Sequence, residues 1–85
     1  MNPIPLRVLV LDTWDEISLQ VPPTALVSDL KAQALAAARV RKPAADYLVK
    51  FRGAELTEGT QTLGDAGVVA NGGLIVLARA RTPVR

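Results

Sequence analysis

The sequence predicts an α+β domain: a mixed four- to five-stranded sheet with one helix packed on one face. Three observations carry this. Several short segments alternate apolar and polar residues, the period of a half-buried strand. One segment alone repeats at helical spacing. Pro22-Pro23, Pro43, Gly53 and Asn71-Gly72-Gly73 mark boundaries between them. Eighty-five residues make one small domain, and a helix over one face of a mixed sheet is the layer solution for that length.

Leu6 to Leu11, Leu-Arg-Val-Leu-Val-Leu, is short, apolar and rich in strand formers, so it is the first strand. Asp12-Thr13-Trp14-Asp15 reads as a turn, since Asp side chains close turns on their own backbone. Glu16 to Val21 alternates strictly, with Ile17, Leu19 and Val21 on one face, and completes a hairpin. Pro22-Pro23 ends it. Val27, Leu30, Ala34, Leu35 and Ala38 then form one helical stripe. Thr24 or Ser28 is the expected cap, Asp29 suits the N-terminal dipole, and Arg39 and Arg41 suit the other end. Tyr47 to Arg52 alternates again, with Tyr47, Val49 and Phe51 on one side. Gly53 turns the chain into a very short strand, Ala54-Glu55-Leu56. Thr60 to Val69 is turn-rich, Asn71-Gly72-Gly73 is a turn, and Leu74 to Ala80 is the last strand. Residues 4–81 are expected to fold and 82–85 to form a flexible tail.

Composition removes whole classes of chemistry. Histidine and cysteine are both absent. That excludes a Cys/His zinc site, an iron–sulfur cluster, a disulfide, a thiol nucleophile and a Ser-His pair. No metal, no cofactor and no catalytic residue is expected, and the chain is read as a non-enzyme. Apolar residues at 49% and charged residues at 21% are an ordinary globular balance. A net charge of +2 is too small to imply nucleic acid by itself. Arg outnumbers Lys seven to three, a bias of GC-rich coding sequences and a hint of a bacterial source. Met1 to Pro5 shows no basic segment leading into an apolar one, and the longest uncharged run, Ala66 to Ala78, falls well short of a membrane span. A soluble cytoplasmic protein is expected.

The order of elements, with Phe51-Arg52-Gly53-Ala54-Glu55-Leu56, then Thr62-Leu63-Gly64-Asp65-Ala66-Gly67-Val68, then Leu74-Ile75-Val76-Leu77, resembles the ubiquitin-like β-grasp family. Ile17-x-Leu19-x-Val21-Pro22 and Val27-x-x-Leu30-Lys31 agree with it. The resemblance covers residues 4 to 81 and implies that fold. It also exposes departures. Family members that are conjugated, or that carry sulfur, end in Gly-Gly, because their terminal carboxylate is adenylated and threaded through a narrow channel. Here Thr82 and Pro83 stand in those places, and Gly72-Gly73 precedes the last strand. Lys50 stands where conjugated ubiquitin has a central apolar contact residue, and Ala54 replaces the lysine most used for chains. A β-grasp of this length without diglycine is similar to bacterial ubiquitin-like proteins associated with type VII secretion systems. Small subunits of multicomponent oxygenases are the other similar group.

The candidate contact surface follows from alternation. If Leu74, Val76 and Ala78 face the helix, Ile75 and Leu77 face outward, and so do Leu9 and Leu11 of the first strand. An apolar patch of this kind is retained on a soluble protein when it is used. Trp14, in the hairpin turn, is a candidate anchor, set against the alternative of a plug on the sheet edge. Asp12, Asp15 and Glu16 lack the spacing of a calcium loop and read as turn chemistry. Asn71-Gly72-Gly73 leads into a strand rather than a helix, so it is no phosphate loop. Arg79, Arg81 and Arg85, with Arg7 beside them, make a basic strip without interleaved aromatics, so nucleic acid is not the expected partner. The expected function is a non-catalytic protein-interaction module, an adaptor or subunit of a larger assembly. Its contact residues are Leu9, Leu11, Trp14, Lys50, Ile75, Leu77 and Arg79. Weak self-association through the same face is also expected. A covalent modifier or sulfur carrier with an atypical C-terminus is the alternative.

Overall fold

The computed structural model describes residues 3–79. The strands are β1 (Ile4–Val10), β2 (Asp15–Val21), β3 (Tyr47–Phe51), β4 (Ala54–Glu55) and β5 (Gly72–Ala78). A single α-helix, α1 (Val27–Ala37), follows β2, and a short 3-10 turn, Ala44–Asp46, precedes β3. The sheet order is β2-β1-β5-β3-β4. The central pair β1–β5 is parallel, and every other pairing is antiparallel. This is the α+β architecture expected from the sequence. The expected fold limit at residue 81 and the tail at 82–85 lie outside the described residues.

The core lies between α1 and one face of the sheet. Leu6, Val8 and Val10 of β1 and Leu74 and Val76 of β5 point into it, as the alternation requires. Val27, Leu30, Ala34, Leu35 and Ala38 close it from the helix side, so the whole predicted stripe is buried. Leu63 belongs to no strand or helix, yet it is 0% exposed.

Three local expectations are corrected. Neither Thr24 nor Ser28 caps α1: Leu26 holds the cap position, without a side-chain hydrogen bond. The chain itself supplies the acceptor, since the Val27 amide donates to the Gln61 carbonyl at 3.0 Å and Leu26 bridges to Thr62. A backbone partner from a distant segment takes the role of the capping side chain. At the other end the helix stops in a Schellman motif. The Val40 amide donates to Leu35 O at 2.9 Å and the Arg39 amide to Ala36 O at 3.1 Å. Arg39 occupies the left-handed position at φ 62, where glycine is the unstrained residue.

Gly72 and Gly73 belong to β5 rather than to a turn. A Cβ at Gly72 would sit 2.9 Å from the Val69 carbonyl and 3.3 Å from the Phe51 ring. The glycine therefore permits close approach within a strand, a role that its sequence context does not show. Finally, β1 starts at Ile4 and includes Pro5, whose carbonyl accepts the Asn71 amide at 2.7 Å. The strand tolerates proline because a missing N–H costs little at the end of a ladder.

Candidate functional site

The helix covers one face of the sheet, and the outer face is built by the register of its four longer strands. Leu9 lies across from Glu16 on β2 and Ile75 on β5. Ile75 in turn lies across from Lys50 on β3. One row therefore reads Glu16, Leu9, Ile75, Lys50. Leu77 pairs with Leu48 one step nearer the β1–β2 hairpin, and the Leu11 amide donates to Val76 O at 3.0 Å, which carries the ladder to that row. Ile75 is 38% exposed, and Leu9, Leu11, Leu48 and Leu77 are half-buried. The four apolar residues expected there are brought together. Leu48 joins them although the alternation of Tyr47, Val49 and Phe51 marks only the buried side of β3. The same period puts Leu48 and Lys50 outward.

Trp14 is 75% exposed at the hairpin turn and has φ 55. Its amide donates to Leu11 O at 3.3 Å. The left-handed conformation disfavours a bulky side chain by roughly 1–2 kcal/mol. A residue that is both strained and exposed contributes little to the fold, and that directs attention to contact.

Arg79, expected at the rim of the patch, is engaged inside the chain. Its amide donates to Asp46 O at 2.8 Å and its Nε to Ala45 O at 3.0 Å. Its guanidinium reaches Glu55 and Glu58, each at 3.4 Å. Glu58 also holds Lys31 at 2.6 Å, and Lys31 Nζ donates to Tyr47 O at 3.0 Å. Lys31 is only 3% exposed. These charges tie α1, the segment after β4, the 3-10 turn and the end of β5 into one brace. The helical position of Lys31 is legible in the sequence but its partner is not, because Lys31 and Glu58 are far apart in the chain.

Arg7 does not join a basic strip with Arg79. It lies across from Gly73, six residues back along β5, or about 20 Å at the rise of a strand. Arg81 and Arg85 lie outside the described residues, as do Thr82 and Pro83. Among the described residues no three carboxylates cluster as a metal site, and no helix is long and apolar enough to cross a membrane.

A shallow cleft of about 390 Å³ is lined by Asp12, Lys42, Asp46, Tyr47, Ala78 and Arg79. Its polar groups largely satisfy one another. The Tyr47 hydroxyl donates to Asp12 Oδ2, so Asp12 reaches across to β3 rather than closing its own turn. That hydrogen bond, then burial, then the negative charges of Asp12 and Asp46 push the Tyr47 hydroxyl up to about 12. The native state thus prefers the neutral phenol. Its stabilisation is complete below about pH 10, the ordinary tyrosine value, and is lost as pH rises through 12. Tyr47 is the only tyrosine, so tyrosinate absorbance reports this group alone. A midpoint near 12 is expected, with loss of far-UV circular dichroism over the same interval. Tyr47→Phe should reduce the pH dependence in that window, and a midpoint near 10 for the tyrosine of the folded protein would contradict the assignment.

A one-helix, five-stranded mixed sheet in this order is the ubiquitin-like β-grasp fold. No protein-family model matches the chain, and no curated protein matches it. Among solved structures, the chain is similar to the ubiquitin of Caldiarchaeum subterraneum, with a TM-score of 0.77 over 95% of this chain and 99% of that chain. The identity is 18%, so the likeness is one of fold.

Proposed function

We propose that this domain is a non-catalytic protein-interaction module that docks a partner protein through the outer face of its sheet. The observation that carries the reading is the row of Leu9, Leu11, Leu48, Ile75 and Leu77 on the face that α1 leaves uncovered. Burying such a face on a partner is favourable at roughly 25 cal/mol per Å² of apolar area. The cleft beside Tyr47 supports a binding role over a catalytic one, since Arg79 and the Tyr47 hydroxyl are engaged in holding the fold and the phenol is far from titrating near neutrality. We further propose a cytoplasmic bacterial adaptor, or a subunit of a larger assembly such as a secretion system. The resemblance set out from the sequence supports that setting.

The fold it shares with an archaeal ubiquitin raises the second reading, a covalent modifier. Thr82 and Pro83, at the positions where conjugated relatives have glycines, favour docking without conjugation.

Leu77→Asp tests the docking reading. Leu77 is half-buried on the outer face, so the charge should cost the fold no more than about 1–2 kcal/mol. It should also reduce capture of the native partner at least tenfold. Capture uses an N-terminally tagged copy in its native cells, with half of the sample washed under denaturing conditions before mass spectrometry. Normal capture by a folded Leu77→Asp variant rejects the outer face. Adducts that survive denaturation and map to the C-terminus establish the modifier reading instead.

A further inference from the structure

The outer face has a charge and shape pattern that matches its own reverse, and we infer from it that the face pairs with the same face of a second copy. This rests on the docking reading and names the occupant. Across the strands from β2 to β3, the central row runs acid, apolar, apolar, base: Glu16, Leu9, Ile75, Lys50. The strands are evenly spaced, about 4.8 Å apart. Over these four strands the row is therefore symmetric about the line between β1 and β5, and Glu55 on β4 continues it beyond Lys50.

Consider a two-fold axis along that line, parallel to the strands, with two sheets face to face. Glu16 of each copy then lies over Lys50 of the other, and Leu9 lies over Ile75. The perpendicular in-plane axis would oppose Glu16 to Glu16, so the charges select one arrangement. A two-fold interface of this kind is self-complementary by construction.

The neighbouring rows fit the same operation. Toward the hairpin, Leu11 meets Leu77. Trp14 stands in the hairpin turn beyond the last β1–β2 pair, Val10 with Asp15, and lies outside this row. On the other side, Arg7 lies across from Gly73, and the operation puts Arg7 over the partner's glycine. A Cβ added at Gly73 would meet nothing within 4 Å, so there is space for the longer side chain. Glu16 and Lys50 form no ion pair with any described residue. Glu55, next to Lys50 on β4, is held by Arg79.

The size of the face sets the strength. Four strands and three rows cover roughly 400 Å², about half of what one partner contributes to a stable interface. The association should be weak, in the micromolar-to-millimolar range, and should weaken further as salt screens the two charge pairs.

Charge reversal gives a decisive test by sedimentation equilibrium at low salt up to millimolar concentration. Wild type should show a monomer–dimer equilibrium. E16K alone opposes base to base at both sites, and K50E alone opposes acid to acid, so each should weaken dimerisation at least tenfold. A one-to-one mixture of the two restores both pairs and should associate with wild-type strength. Wild type that stays monomeric at millimolar concentration overturns the inference. So do single reversals that dimerise normally, or a mixture that does not recover. The docking reading fails on a different result, normal partner capture by Leu77→Asp, so the two failures are distinguishable.

Discussion

Leu63→Ala should destabilise the domain by about 3–4 kcal/mol, as much as the loss of a core strand residue. Leu63 lies in a turn-rich segment, where truncation is ordinarily tolerated. Here the side chain is 0% exposed and belongs to the core between α1 and the sheet. Its backbone also holds the entry to the helix, since the Leu63 amide donates to Ala25 O at 2.9 Å and the Gly64 amide to Pro23 O at 2.9 Å. The turn is fixed from within by Thr62 and Asp65, each of which accepts the other's amide on its side chain, at 3.0 and 3.3 Å respectively. A rigid turn cannot collapse into the void, so the cavity term remains in full. A domain of this size has roughly 4–13 kcal/mol in total, and the variant should be visibly destabilised in urea. Far-UV circular dichroism is the appropriate probe, because Trp14 is 75% exposed and its emission changes little on unfolding. Ile75→Ala, on the outer face, should shift stability by about 0.5 kcal/mol or less. Equal midpoints for the two variants would show that Leu63 does not anchor the core.

Glu58→Leu should cost about 2–4 kcal/mol, because it leaves Lys31 charged and almost fully buried with only the Tyr47 carbonyl for company. Glu58 itself retains some solvent contact, which places the figure at the lower part of the range for buried pairs. Arg79 keeps Glu55 and its backbone acceptors, so the end of β5 should remain in place. The discriminating variant is the double replacement, Lys31→Met with Glu58→Leu. Removing both charges takes away the stranded ammonium, and at least half of the lost stability should return. A double variant no more stable than Glu58→Leu would mean that the ion pair is not the source of the loss.

How much was legible in the chain depends on the range over which each signal acts. The two faces of each strand are written locally. Tyr47, Val49 and Phe51 alternate with Leu48 and Lys50, and the alternation alone separates core from surface. The helix stripe is equally local, and all five of its residues are buried. The cap of α1 is not legible locally, because its acceptor is the Gln61 carbonyl, a group about thirty-five residues downstream. The need for glycine at 72 is not legible either, because it comes from the Val69 carbonyl and the Phe51 ring, whose positions depend on the folded chain. Leu63 carried no period at all, since a single leucine in a turn has none.

Which residues have an outward face, the lack of thiol and imidazole chemistry, and the order of elements are all properties of the chain read locally. Those properties follow from periods of two and 3.6 residues and from the absence of histidine and cysteine. Which outward residues share a row is fixed by strand pairing in three dimensions. Glu16, Leu9, Ile75 and Lys50 come from four different strands, and they align because β1 and β5 pair in parallel at the centre of the sheet. The same holds for Lys31, Glu58 and Arg79, whose charges mean little until packing removes water from between them. Side-chain direction is a property of the local backbone, whereas neighbourhood across strands depends on long-range pairing that no window of sequence contains.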